Sequence, residues 1–468
     1  MSSPVAIGID VATAHLRGVA IDATSGAVLA SRATTLPVPS DGPAGERRQD
    51  AVYAQASVGV LTELVHELGR AASDVVAIST TATSGTVVPC AADGSALGPA
   101  LLYNDRSAAT FEERLRSAGT GDRPVAALAR MALLHATSSV ERFGSPADVV
   151  SAALAGGPVA ADTSHHLKAG IDPTHAAWPD EIAAVDLPRR LLPELVAPGT
   201  SLGHLDRDVA RTIGLPPDVL LIAGMTDGCT AQIATGAVDV GDSVGVLGTT
   251  LVLKAVSRTP VEDAAVGLYS HLAPDGRHWP GGASNTGAGV LEDGRDVRGL
   301  DAAVGLLDAG ELLRIVLTYP LTGRGERFPF ADPAFEGLLG HPDDDPVLHH
   351  AGILLGVAHV ERLCLEAMRR RGVTADRHLL AGGGSRSEVW NAIRAAVIPS
   401  PVLRPQHQDS AFGAAVLAAC GVSSAPFART VALLTGDPVP VEPFPGLHRI
   451  DAQHDLLLSR LRATGVDL

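Results

Sequence analysis

The chain has 468 residues, with 46% apolar but only 3% aromatic ones; that length suits two hydrophobic cores rather than one, built from Ala, Val, Leu and Ile. A formal charge of −16 repels nucleic acid and anionic membrane surfaces, so neither is expected as a partner. It leaves room for a nucleotide, whose phosphates can be held locally by helix N-termini, backbone amides and a cation.

The amino terminus MSSPVAIGID enters a strand at once, without a basic n-region or an apolar h-region. No apolar run is long enough to span a bilayer, and a cytoplasmic location is the expectation. The four cysteines, Cys90, Cys229, Cys364 and Cys420, are far apart. They show no zinc or redox spacing, which predicts free thiols in a reducing compartment.

Apolar patterning predicts strands over 4–11, 16–22 and 27–36, the last after the turn Thr24-Ser25-Gly26. A Pro- and Gly-rich loop follows at 37–45. Val60, Leu61, Leu64, Val65 and Leu68 fall at helical spacing within 50–68. Strands are predicted at 75–82 and 87–92, and the stretch 108–205 reads as mostly helical, interrupted at Asp172-Pro173 and Pro179. A buried strand ends at Ala223, and Asp227 opens a helix of small residues. Two strands then flank the tight turn Gly248-Thr249-Thr250. A hairpin is expected over 266–279, a long amphipathic helix over 349–371, a short strand over 378–381 and a small-residue helix over 410–420. The strand–turn–strand unit recurs in the two halves, a weak internal duplication, and two similar lobes would create a cleft suited to a ligand. The boundary is placed near Thr235, giving domains 1–234 and 235–468. A late helix near 409–427 is expected to pack back on the first.

Four stretches carry candidate chemistry. Asp10 ends a buried strand with Thr13 three residues on; it reads as a carboxylate for hydrated Mg²⁺ beside a phosphate-binding turn, or as an ordinary Asx turn. Gly248-Thr249-Thr250 reads as a phosphate cradle or a plain hairpin. Taken singly, both favour the plain turn. Gly382-Gly383-Gly384-Ser385, between a strand and a helix, favours a nucleotide seat, because three adjacent glycines cost backbone entropy that a simple turn does not require. Asp227 is equally a helix cap and a general base aimed into a cleft. Other motifs fail. The two lysines, Lys168 and Lys254, stand outside any GxxxxGK[ST] context, no GxGxxG follows an N-terminal strand, and Ser84 is not in a GxSxG elbow. The pairs His165-His166 and His349-His350 are adjacent, so their side chains do not share a helix face to bind a metal.

Taken in order, these stretches resemble the FGGY carbohydrate kinases: GIDVATAHLRGVAID at 8–22, TSGTV at 83–87, LLYNDRS at 101–107, AGMTDG at 223–228, LGTT at 247–250, GERFPFADP at 325–333, AGGGSRSEVW at 381–390 and DSAFGAAVLA at 409–418. The resemblance implies an α/β fold of two actin-like (ribonuclease H-like) lobes with a cleft between them, using ATP and Mg²⁺ to phosphorylate a small-molecule sugar. By position it implies Asp227 as the catalytic base. Asp10, with Mg²⁺ held through water, and Thr13 form the first phosphate motif, and Gly248, Thr249 and Thr250 the second. Gly382, Gly383, Gly384, Ser385 and Asn391 fall to the nucleotide, and Thr83, Ser84, Asp105 and Arg106 to the sugar. YSH at 269–271 and GGASN at 281–285 point to the D-ribulose kinases, with D-xylulose or another ketose or polyol as the alternative. A non-catalytic sugar or nucleotide sensor is the alternative of another class, and a homodimer is left open. Two departures stand out: Ala12 occupies a position where the family prefers glycine, and His165-His166 replaces a segment containing Asn-Ala.

Overall fold

In a computed structural model of the chain, the described residues are 3–121, 123–291, 296–321, 323–338, 345–447 and 450–466. The fold is two-lobed α/β. One compact unit comprises 1–236, 271–276 and 407–436; the other comprises 237–270, 277–406 and 437–468.

The first unit is organised around strand β1 (Val5–Val11), all seven of whose residues are buried. It pairs antiparallel with β2 (His15–Asp22), which pairs with the edge strand β3 (Val28–Thr35). On its other side β1 runs parallel to β4 (Val75–Ala82). With β5 (Ser201–His204) and β6 (Leu220–Ile222) the sheet order is β5-β6-β4-β1-β2-β3. A strand covered on both faces reads as a continuous apolar run, whereas a one-sided strand alternates, as the edge strand β3 does. Helix α1 (Tyr53–Leu68) packs on β2 and β3 through Val60, Leu61 and Leu64. Among the other helices of the N-terminal part are α2 (Ala126–Thr137) and α3 (Asp227–Thr235).

The stretch expected to be mostly helical departs from that reading. Between α2 and β5 only one further long helix, Pro146–Ala155, forms, and the remainder is short strands (Arg142–Gly144, Ala161–Asp162, Leu195–Val196), a four-residue α-helical turn (Thr163–His166) and 3₁₀ turns. Pro158, Pro173, Pro179, Pro188 and Pro193 recur too often there for helical hydrogen bonding to propagate.

The second unit repeats the local plan. Strand β7 (Asp242–Leu247) pairs antiparallel with β8 (Leu251–Ala255), and parallel with a strand that arrives much later. Two further strands are β9 (Tyr269–Leu272), whose second half is grouped with the first unit, and β10 (His278–Ser284). The late strands are β11 (Arg377–Ala381), β12 (Val402–Arg404) and β13 (Val439–Pro440), in the order β9-β10-β8-β7-β11-β12-β13. The long helix α4 (Pro346–Arg370), started by Pro346 and capped by Asp345, is buried along most of its length, and α5 (Glu388–Val397) packs on it.

The chain then returns to the first unit as α6 (Ser410–Val422), which packs on α3, β1 and β4. Its Ala-rich face allows unusually close contact. At Gly8 of β1, a Cβ would lie 2.0 Å from the Ala411 carbonyl oxygen, so only glycine fits beneath this helix.

Candidate active site

The carboxyl ends of β1, β4 and β6 lie side by side: Val11 pairs with Ala82, and Ala82 bridges to Thr226. Parallel strands that end in one row bring together residues far apart in sequence. Asp10, the Thr83–Thr86 loop and Asp227 meet along this row.

Asp10 is 2% exposed. Its Oδ2 accepts from Arg17 Nη2 at 2.9 Å, and Arg17 Nη1 donates to Asp409 Oδ2 at 2.6 Å. The other oxygen, Oδ1, is buried without a hydrogen-bond partner among the described residues. Burial pushes the Asp10 carboxyl up to about 7, and the Asp227 carboxylate adds to the rise, while Arg17 pulls against both. Motif spacing alone does not single out Arg17. The signal was available, because hairpin register places it directly opposite Asp10. Asp409 caps α6, its Oδ1 accepting from Ala411 N and Phe412 N. The turn after Asp10 is held by buried Gln49, whose amide donates to Thr13 O and Pro37 O, both at 2.6 Å. Ala12 is half-buried and lies outside the left-handed region, so its Cβ is accommodated without strain.

Asp227 is half-buried at the first position of α3, and the capping position belongs to Thr226. Among the described residues, the Asp227 Oδ1 accepts only from its neighbour Gly228 N, at 2.6 Å. The helix is therefore not relying on Asp227 as its cap. Ser410 Oγ donates to the Asp227 carbonyl, tying the start of α6 to the same place.

On the loop after β4, Thr83 and Thr86 hydroxyls are 3.0 Å apart, and Ser84 Oγ is buried without a partner among the described residues. Asp105 behaves differently from a ligand contact: it is 4% exposed, and its carboxylate is taken up by Arg47 N, Ser107 N and Ser107 Oγ. Arg106 is exposed. Neither His165 nor His166 is free. His165 Nε2 accepts from the Ala82 amide at 3.0 Å, so its proton sits on Nδ1 and is donated to Asp162 at 2.6 Å, a neutral tautomer. His166 pairs with Asp148 at 2.8 Å. Ser164 Oγ accepts from Thr226 N and bonds His271 Nδ1, and His271 is the one residue of the YSH segment grouped with the first unit.

In the second unit, the Gly248-Thr249-Thr250 turn is stacked on the loop after β10. Ala288 N donates to Gly248 O, Gly289 N to Thr249 O, and Leu251 N to Thr286 O. That loop is pinned by Glu326 of the GERFP segment, whose carboxylate is 3% exposed and accepts from Ser284 Oγ, Asn285 N, Tyr319 OH and Arg327 N. The glycine run is not at an α-helix N-terminus. It forms a 3₁₀ turn, and α5 starts after it, capped by Ser387. A Cβ on Gly382 or Gly384 would lie 2.6 or 2.5 Å from Leu247 atoms, whereas Gly383 is exposed with nothing within 4 Å. Two of the three glycines thus answer to packing. Ser385 Oγ bonds Gly382 O, and Asn391, fully buried, donates to Ser385 O at 2.8 Å. Asn391 braces the turn from within.

The sequence matches two family models: the FGGY family of carbohydrate kinases, N-terminal domain, over residues 5–141, and its C-terminal domain over 244–422. The chain belongs to the FGGY family of carbohydrate kinases. A xylulose kinase of Staphylococcus epidermidis is 23% identical over 54% of this chain and 52% of its own length, and a gluconokinase of Bacillus licheniformis is 25% identical over 52% and 51%. The chain thus spans about half the length of these two relatives. Among solved structures, one described as a xyloylose kinase from Brucella ovis superposes with a TM-score of 0.86 at 22% identity, covering 98% of both chains. FGGY membership covers most of the motifs above. The relatives named are a xylulose kinase and a gluconokinase, and the family is what they share with this chain.

Among the described residues, no group of three or more His, Cys, Asp or Glu is spaced to hold a metal, and no helix is long and apolar enough to cross a membrane. A Mg²⁺ that keeps its water shell requires only one or two carboxylates besides substrate phosphates. Asp10, with one oxygen on Arg17 and the other unpartnered, fits that outer role.

Proposed function

We propose that this FGGY chain is an ATP-dependent carbohydrate kinase that transfers the γ-phosphoryl group to a hydroxyl of a ketopentose, with D-xylulose ahead of D-ribulose. The observation that carries the reading is the row formed by Asp10, Ser84 and Asp227 at the ends of three adjacent strands, with a polar oxygen left unpartnered on both Asp10 and Ser84. Buried polar atoms are costly unless a ligand or water completes them.

In this mechanism Ser84 and Thr83 orient the acceptor sugar, with Arg106 at the rim. Asp227 takes the proton of the attacking hydroxyl, a role worth about 10² to 10⁴ in rate. Its freedom from capping leaves a carboxylate oxygen for that purpose. Arg17 supplies positive charge beside Asp10. Asp10 would hold Mg²⁺ through water; bound Mg²⁺ would neutralise phosphate charge, and phosphoryl transfer relies mainly on such positioning and charge stabilisation. Thr13 and the Gly248-Thr249-Thr250 turn are assigned to the ATP phosphates, and the open edge at Gly383, with Ser385 behind it, to the adenosine.

The test is ADP release across D-xylulose, D-ribulose, D-gluconate and glycerol, with a no-sugar control. D-gluconate is the second reading, supported by the gluconokinase relatives. Replacing Asp227 by Ala should remove sugar-dependent ADP release while nucleotide binding persists. Wild-type protein that binds sugar or ATP but turns over none of the panel would favour a sensor instead, and near-normal turnover of the variant would remove Asp227 from the mechanism.

A further inference from the structure

Helix α2 is apolar almost throughout, AALARMALLHAT, yet carries Arg130 on a buried position, 4% exposed. Removing a guanidinium from water costs several kcal/mol unless its donors are satisfied. Arg130 meets that cost in an unusual way: each of its hydrogen bonds goes to a backbone carbonyl. Nη1 donates to Gly85 O at 3.0 Å; Nη2 donates to Tyr103 O at 2.6 Å and Asp105 O at 3.0 Å; Nε donates to Asp105 O at 3.3 Å. Burial pulls its basicity below the usual arginine range, with Asp105 and Glu112 acting against the fall. The two loops it joins are separated by residues 87–102 and hold the remaining candidate acceptor contacts, Thr83 and Ser84 on one and Arg106 on the other.

We infer that Arg130 is a positioning residue for the acceptor, a fork that holds the Thr83–Thr86 loop and the Tyr103–Ser107 loop in one register. A planar guanidinium reaches two loops at once because its donors diverge at fixed angles; a lysine ammonium offers a single point charge. The second loop is stiffened further by the Asp105 carboxylate, which bonds Arg47 N and Ser107. The first has no such carboxylate of its own, and Gly85 sits between Arg130 and the aliphatic stem of Lys168, whose Cδ would be 3.1 Å from a Cβ there. Ser84 is the residue next to the carbonyl Arg130 grips. Its hydroxyl can be held at a fixed place without a hydrogen bond of its own because the backbone beside it is held. Arg130 also borders a pocket of about 370 Å³ with Tyr103, Asn104, Arg106 and Glu112, on the side of the second loop.

This inference rests on the acceptor assignment proposed above, and its test separates the two. Arg130→Lys and Arg130→Met are compared with wild type by amide hydrogen exchange and by steady-state kinetics; the lysine variant keeps charge and stem should the methionine variant not fold. In Arg130→Lys, exchange in 83–86 and 103–107 is expected to rise together by tenfold or more, with β1 unchanged. The acceptor KM rises at least tenfold while the ATP KM stays within twofold. Unchanged exchange, a rise in only one loop, equal changes in both KM values, or looser loops with an unmoved acceptor KM would each overturn the inference. Should the wild type phosphorylate none of the sugars, the acceptor assignment fails, and the paired exchange alone decides whether Arg130 couples the loops.

Discussion

At the scale of single residues, Asp10 sets the pH behaviour. Its carboxyl titrates near 7 in the folded chain against an ordinary value of 3.8. Between pH 4 and 7 the folded state therefore keeps a proton that the unfolded chain has already released at this carboxyl, so the contribution of Asp10 to stability falls as pH rises through that window. Above pH 7 the full cost is present, roughly 4 kcal/mol from the shift. Asp10→Asn cannot ionise. It is expected to be more stable than wild type at pH 8, by on the order of 2 kcal/mol after relaxation around Arg17, and little different at pH 4.5. Urea midpoints at the two pH values measure this; a variant equally displaced at both would show that Asp10 does not titrate in that range. Wild-type phosphoryl transfer should fall as pH drops below 7 and Asp10 becomes neutral. Single residues are also where sequence reading reached its limit. Asp10 and Asp227 stand out because carboxylates at strand ends follow a pattern. Arg130 and the Gln49 amide do not, because the groups they donate to are backbone carbonyls, and a carbonyl carries no residue identity to be read.

At the scale of elements, the glycine-bearing turns separate positions that answer to packing from those proposed to meet a ligand. Gly382 has φ +86° and lies against the Leu247 backbone, so Gly382→Ala is expected to cost roughly 2–4 kcal/mol from left-handed strain plus overlap. Gly383→Ala meets open space and should cost within about 1 kcal/mol, yet place a methyl at the proposed nucleotide edge and weaken ATP binding about tenfold, near 1.4 kcal/mol. Chemical denaturation and nucleotide titration on the pair decide the matter; equal stability losses would mean the glycines are interchangeable. Glu326 makes a parallel case for the Gly248-Thr249-Thr250 turn. Its four donors converge on one carboxylate, and Glu326→Gln puts an NH₂ against some of them, costing roughly 2–3 kcal/mol. The loop it pins carries the amides bonded to the turn, so the ATP KM should rise more than the acceptor KM. An unchanged ATP KM would cut that link. Elements themselves were legible where periodicity was strong: β1 as an apolar run broken only by Asp10, α1 and α4 as 3.6-residue stripes. The 108–205 stretch was not, because prolines override apolar spacing over short distances without saying which irregular turn replaces the helix.

At the scale of the whole molecule, the first unit is discontinuous in sequence. Its central strand β1 is covered by α6, which begins some 400 residues later, and the helix is almost entirely interior: Ala411, Phe412, Ala414, Ala415, Val416 and Leu417 are each at most 1% exposed. Low aromatic content makes this arrangement necessary. With so few large side chains, burial comes from close approach of Ala- and Gly-rich surfaces, and such a surface has little value alone, because a Cβ-thin interface must be completed along its length to exclude water. Residues 1–236 by themselves would expose the face of β1 and β4 and leave Arg17 without Asp409. That piece is expected to be aggregation-prone and to lack a cooperative unfolding transition. Joining residues 407–436 to it by a flexible linker should restore both, since loop-closure entropy rises only slowly with linker length. Circular dichroism melts and amide dispersion of the two pieces measure the difference. A cooperative transition in 1–236 alone, at the midpoint seen with the added helix, would mean that α6 is dispensable to the first unit's core. Loss of the helix should also lower the affinity of the remaining unit for sugar, because α6 starts at Asp409 and Ser410, the residues that hold Arg17 and the Asp227 backbone in place.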